Sequence, residues 1–165
     1  MAASREAVPL SQAAEYLLEE CRMVLPGIQA LFGFQLIAVF SAQFGEALSA
    51  GEQRLHLVAI ALIAVAIALI MSPAAYHRHA GPEEVTATFI RLSSRLVLYS
   101  MPPLAAGISL DFYLIARIIL NSRLVPFLSA ALFGVYLMLW FVLPRSRRLA
   151  RIVSGDSERP VNRSR

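Results

Sequence analysis

The chain has 165 residues, 58% of them hydrophobic and only 16% charged, with a formal net charge of +4 and a mean hydropathy of +0.62. Soluble domains carry about 25% charged and about 45–50% apolar residues; here the excess gathers in four blocks, each near the roughly 20 residues a helix needs to cross a hydrocarbon core about 30 Å thick. That distribution excludes a separate soluble domain, and basic residues that flank apolar blocks argue against a nucleic-acid surface.

In chain order, residues 1–10 are expected to lack regular structure. Residues 11–24 have helical spacing, with Ala14, Leu17, Leu18 and Cys21 on one side and Glu15, Glu19 and Arg22 on the other. This amphipathic segment lies along the membrane surface or runs directly into the first span. No apolar h-region of a secretory signal opens the chain between Met1 and Gln12.

The first span is predicted over 25–44, with Pro26 at a helix start or kink. Ala30 and Gly33 offer a patch for close helix approach. Gln29, Gln35 and Gln43 are expected to face the bundle, where their amides find partners. The second span, 55–76, carries a stripe of Ala61, Ala64 and Ala68 suited to close packing, and Ser72-Pro73 ends or kinks it.

Gly81-Pro82-Glu83-Glu84 reads as a helix start, leading into a third span over 96–120 that Pro102-Pro103 bends. The third span is the most polar, with Asp111 and Arg117. The fourth, 124–143, has Ala130 and Gly134 four residues apart and ends at Pro144, followed by a basic tail over 144–165. The expected fold is therefore all-α: an integral membrane four-helix bundle with a short N-terminal amphipathic helix and a basic C-terminal tail.

Every basic residue is arginine. Twelve of the 15 fall in the N-terminal segment, the middle segment or the tail, against Arg54, Arg117 and Arg123 in the other two loops. The positive-inside rule then places both chain ends in the cytoplasm, in a bacterial inner membrane. Guanidinium groups bind phosphate bidentately, so anionic lipid headgroups are expected partners.

Asp111 is the most provocative position, because an ionisable residue at membrane depth is costly and marks a functional site by default. Its structural alternative is an ion pair with Arg117 or Arg123, or a helix cap. A second group, Glu19, Glu20, Arg22, His77 and Arg78, is expected to meet at the cytoplasmic face, where a Glu–Arg78 salt bridge would clamp the N-terminal helix. His77-Arg78-His79 suggests a proton relay or, more simply, interfacial anchoring. Its spacing matches no standard metal-ligand pattern, and no cofactor motif is present. Cys21, the sole cysteine, has no activating base nearby and no disulfide partner. With no nucleophile–base pair or phosphate loop, an enzyme is not expected.

The stretch EECRMVLPGIQALFGF, with SPAAYHR after the second span, resembles a family of small bacterial four-span membrane proteins of unknown function. The matching residues are Glu20, Arg22, Gly27, Gln29, Pro73, His77 and Arg78, and the likeness runs from about Glu15 to Leu143. It departs at Cys21, where an apolar residue is expected, and in the arginine-rich tail. The resemblance implies the fold and supplies no activity. Two functional expectations stand: an accessory or structural subunit that binds a partner membrane protein or lipid, or a homo-oligomeric channel or small transporter using the polar residues of spans one and three.

Overall fold

The computed structural model describes residues 9–80 and 86–145. The expectations for the first eight residues, for the helix start at Gly81–Glu84 and for the tail beyond Arg145 lie outside the described residues, as do the side chains of Gln43 and His79. Among the described residues the chain is helical throughout, with no strand. Helix α1 spans Leu10–Val39, α2 Ala42–Ala47, α3 Ala50–Ala80, α4 Ala87–Leu120 and α5 Val125–Leu137. A π-helical turn, Met138–Val142, and a last helical turn, Leu143–Arg145, extend α5. Four of these stretches are long and apolar enough to cross a membrane, and they alternate in direction. One end of the bundle gathers the start of α1, the end of α3 and the start of α4. The other gathers α2 and the α4–α5 turn.

The amphipathic segment and the first span form one continuous helix, because Pro26 sits inside α1 without ending it. Proline removes one backbone donor, and helix on both sides keeps the neighbouring bonds. The first span is shorter than expected: α1 stops at Val39, and Ser41, in extended conformation, starts the short α2. Pro73 and the Pro102-Pro103 pair likewise lie within α3 and α4. Serine hydroxyls bond backbone oxygens beside these prolines, Ser72 to Ala68 at 2.8 Å and Ser100 to Val97 at 2.7 Å.

The helix ends have local causes. Ser49 and Glu52 form a reciprocal capping box at the start of α3: the Ser49 N–H donates to Glu52 Oε2 at 2.9 Å and the Glu52 N–H to Ser49 Oγ at 3.4 Å. Thr86 caps α4 by accepting from the Phe89 N–H. Asn121 closes α4 in the left-handed region at φ 43°, a conformation asparagine tolerates better than most residues.

The core runs through α1, α3 and α4, where Leu17, Cys21, Ile28, Ile63, Ala66, Ile70 and Leu104 form one cluster. The closest approach is at Gly107 of α4, where an added Cβ would lie 2.7 Å from Ile63 Cγ1 and 3.2 Å from the Ala59 carbonyl oxygen. This is the small-residue contact that lets two transmembrane helices pack backbone to side chain. Helix α5 leans on α4, pinned where Ser129 Oγ donates to the Ser109 carbonyl at 2.6 Å.

Two packing expectations are corrected. On α3 the buried residues are His56, Ala59, Ile63, Ala66, Ile70 and Pro73, while Ala61 and Ala68 face outward. An evenly apolar helix does not mark its inner face by composition. The Ala30–Gly33 and Ala130–Gly134 patches are not used within the chain either, since nothing comes within 4 Å of a Cβ built at Gly33 or Gly134.

Candidate functional site

Three polar side chains from three helices converge near the end of the bundle that carries α2. Gln35 lies one turn before the end of α1, His56 in the second turn of α3, and Asp111 just over two turns before the end of α4. Antiparallel helices with a rise of about 1.5 Å per residue bring these positions to similar depth. Gln35 and His56 are buried, at 4% and 7% exposure, and the Asp111 side chain is 13% exposed.

The Gln35 amide donates to Asp111 Oδ2. His56 Nε2 lies 3.1 Å from the Gln35 backbone carbonyl, and His56 Nδ1 lies 3.4 Å from Asp111 Oδ1. The Phe44 ring covers the imidazole, with centroids 5.3 Å apart. The trio lines a cavity of about 360 Å³ whose other walls are largely apolar, including Leu31, Phe34, Leu48, Leu114 and Ile115. Residues of α2 and its flanking turns form part of that wall.

Donor and acceptor bookkeeping fixes a proton here. A carbonyl oxygen carries no hydrogen, so the contact between His56 Nε2 and the Gln35 carbonyl requires the imidazole to donate. A neutral ring committed in this way turns the lone pair of Nδ1 toward Asp111. That lone pair and a carboxylate oxygen repel unless one more proton is present. The pair is then an imidazolium facing a carboxylate, or a neutral imidazole facing a carboxylic acid. In either form His56 and Asp111 share one proton and carry no net charge. Gln35 Oε1 is buried with no hydrogen-bond partner among the described residues, and Asp111 Oδ1, equally buried, has only the His56 Nδ1 contact at 3.4 Å. Buried acceptors without donors are rare and costly, and the residues that carry these two oxygens line one cavity.

Asp111 therefore does not pair with Arg117 or Arg123, as the sequence suggested. Arg117 reaches Glu52 of α3, 3.5 Å away, and Asn121 Oδ1 at 3.2 Å. Arginine six residues beyond Asp111 lies well round the helix from it, whereas Glu52 and His56 are a turn apart on α3. Gln35 faces the bundle as expected. Gln29 does not and is exposed, because six residues along a helix rotate a side chain to a different face. His56 was missed by the sequence reading. Its place near the start of an apolar helix running antiparallel to the one with Asp111 was the available signal.

At the other end the expected cluster is partly assembled. Arg22, His77 and Arg78 line one cavity of about 330 Å³ together with Leu18 and Cys21. Glu19 and Glu20 are exposed and are absent from that wall. Among the described residues no ion pair joins either glutamate to Arg78; the ion pairs are His56–Asp111 and Arg117–Glu52. The His77 ring packs instead against Phe89, with centroids 5.7 Å apart. No group of three His, Cys, Asp or Glu residues with metal-site geometry occurs among the described residues.

Four apolar helices of spanning length, tied together by buried polar contacts, define a multi-pass helical membrane protein. The chain belongs to a family of unknown function, DUF6328, whose model matches residues 10–144. This agrees with the resemblance read from its motifs. No curated protein and no solved structure matches the chain.

Proposed function

We propose that this protein is the subunit of a small homo-oligomeric transporter, with Gln35, His56 and Asp111 as a proton-holding site. The observation that carries the reading is the 3.4 Å His56–Asp111 contact, beside a cavity at membrane depth. Titratable groups so placed serve proton relays and ion pathways more often than they serve packing, and a bundle gains little stability from a buried ion pair.

The need for several copies follows from size and from α1. Four helices with a packed centre leave no pore of their own, as Ala59, Ile63, Ala66 and Ala105 are fully buried. Gln29 is exposed on the apolar part of α1 beside Ala30. An amide facing lipid lacks hydrogen-bond partners. Together with Gly33, one turn further on, these residues make a face that a second α1 fits, small residues allowing approach and the glutamines bonding across. The arginine-rich end sits in the cytoplasm of a bacterial inner-membrane protein under this reading, so the pocket opens toward the outer leaflet.

The experiment is proton flux in liposomes holding the purified protein and an internal pH dye. Wild type dissipates an imposed pH gradient faster than empty vesicles, and Asp111→Asn returns the rate to that of empty vesicles while keeping its helical circular dichroism. Flux equal in both proteins removes Asp111 from any transport role. The accessory-subunit reading is favoured by one observation: among the long helices α5 packs chiefly on α4, leaving Gly134 with nothing within 4 Å of an added Cβ. Native mass spectrometry separates the two, since a homo-oligomer supports transport and a hetero-complex supports the accessory role.

A further inference from the structure

The free acceptors in the pocket specify what enters it. Gln35 Oε1 has no hydrogen-bond donor among the described residues, and Asp111 Oδ1 and His56 Nδ1 both become free acceptors whenever the proton between them leaves. No donor other than the Gln35 amide and the His56 ring faces Asp111 among the described residues. Apart from Ser41, whose hydroxyl donates to the Ala38 carbonyl, the remaining wall is aliphatic and aromatic, with Phe34 and Phe44 on it. Its volume of about 360 Å³ falls at the small end of ligand cavities, which run from about 300 to 1,000 Å³.

We infer, on the basis of the transport reading above, that this pocket takes a small primary organic ammonium ion in exchange for the proton of the His56–Asp111 pair. A primary ammonium has three N–H donors for Asp111 Oδ1, Gln35 Oε1 and His56 Nδ1, and it reaches the two oxygens, which are buried before it enters, as the carboxyl and amide groups turn toward it. Its alkyl body lies against Leu31, Phe34, Leu114 and Ile115. The exchange balances in charge. Before binding, His56 and Asp111 together are neutral with one shared proton. Afterwards a neutral His56 and an ionised Asp111 face a single positive ligand, and the proton has passed to water. Binding without that release would leave an uncompensated positive charge in a low-dielectric site, which is strongly unfavourable. The other charged groups on the elements around the pair do not take over its role. Glu52 and Arg117 are paired with each other, and Glu46, Arg54 and Arg123 are exposed. α1 has no titratable residue beyond Arg22.

Calorimetric titration of the detergent-purified full chain with hexylammonium, in two buffers of different ionisation enthalpy, tests this. The expected result is saturable binding with release of about one proton per ammonium. Hexyltrimethylammonium, which has no N–H, and 1-hexanol, which has no charge, are expected to bind at least about tenfold more weakly, roughly 1.4 kcal/mol. Asp111→Asn and Gln35→Met, each checked for helical content, should abolish the proton release, and His77→Gln should leave it unchanged. Equal binding of all three probes, or binding without proton release, overturns the inference. Proton flux in liposomes with no hexylammonium binding refutes the ligand class alone. Hexylammonium binding with proton release in a protein that carries no flux preserves the site and refutes transport.

Discussion

Gly107→Ala probes the packing that holds the site together. The new methyl would sit 2.7 Å from Ile63 Cγ1 and 3.2 Å from both Ile63 Cδ1 and the Ala59 oxygen. Ile63 is fully buried, and its Cγ1 is close to the backbone, so neither it nor the Ala59 carbonyl can yield cheaply. Overpacking of this kind costs about 1–3 kcal/mol. Alanine is a better helix former than glycine by about 1 kcal/mol in water, but α4 stays largely helical in a micelle, so only part of that gain applies. The net expectation is a loss of about 1–2 kcal/mol. At roughly 2–4 °C per kcal/mol for a chain of this size, the thermal midpoint in detergent falls by about 2–8 °C. Gly134→Ala is the control, because nothing lies within 4 Å of its added Cβ, and it should hold or raise the midpoint. Adding Ile63→Ala to Gly107→Ala should cost less than the two separate losses combined, since the contact is shared. A Gly107→Ala protein as stable as wild type, or two strictly additive losses, would refute the close-packed α3–α4 seam.

Other expectations follow from single contacts. Ser49→Ala removes the capping box of α3 and should lower stability by about 1 kcal/mol in the same melting assay, while an unchanged midpoint would show that the cap does not form. Ser129→Ala breaks the one hydrogen bond from an α5 side chain to α4 and should cost about 0.6 kcal/mol, and at most about 1.7. Arg117→Ala should change the midpoint little, within the roughly 0–1 kcal/mol of a solvent-accessible ion pair, since the Arg117 side chain is 44% exposed. Topology needs introduced thiols, because Cys21 is buried. In a Cys21→Ser background, an impermeant maleimide on intact cells should label Glu46→Cys and spare Glu19→Cys, and the reverse pattern would invert the orientation.

The four spans were legible because membrane helices need long apolar runs, and such runs survive in any reading of hydropathy. Helix faces were not. On α3 nearly every position between Leu57 and Met71 is apolar, so the choice between the Ala61–Ala68 stripe and the Ala59–Ile63–Ala66–Ile70 stripe was made by Gly107 on another helix. Its absent side chain leaves room for Ile63, and a lone glycine in the third span gave no sign of that. Proline left two outcomes open at Pro26 and Pro73, a helix end or a kink, and the ends are excluded because Pro26, Pro73 and Pro102-Pro103 all sit inside continuous helices.

The site divides in the same way. Asp111 stood out because a charge in an apolar run is conspicuous, and Gln35 followed for the same reason. His56 did not, since it lies at the start of its span, where a polar residue is ordinary. Only the antiparallel arrangement, which sets His56 level with Asp111 across 55 residues of sequence, gives it a partner. The Glu–Arg78 clamp failed for a related reason. Sequence placed the charges at one end of the bundle, but long side chains at an exposed rim keep water as an alternative partner, and nothing in the local pattern forces them together.

The most direct test of the proton-holding site is the ring-nitrogen NMR spectrum of His56, recorded on ¹⁵N-histidine protein carrying His77→Gln and His79→Gln so that one histidine remains. The expected spectrum shows Nε2 protonated, donating to the Gln35 carbonyl, with the Nδ1 signal changing in Asp111→Asn because the shared proton has lost its partner. A bare Nε2 beside a protonated Nδ1, or a spectrum indifferent to Asp111→Asn, would contradict the shared proton and with it the proposed transport site.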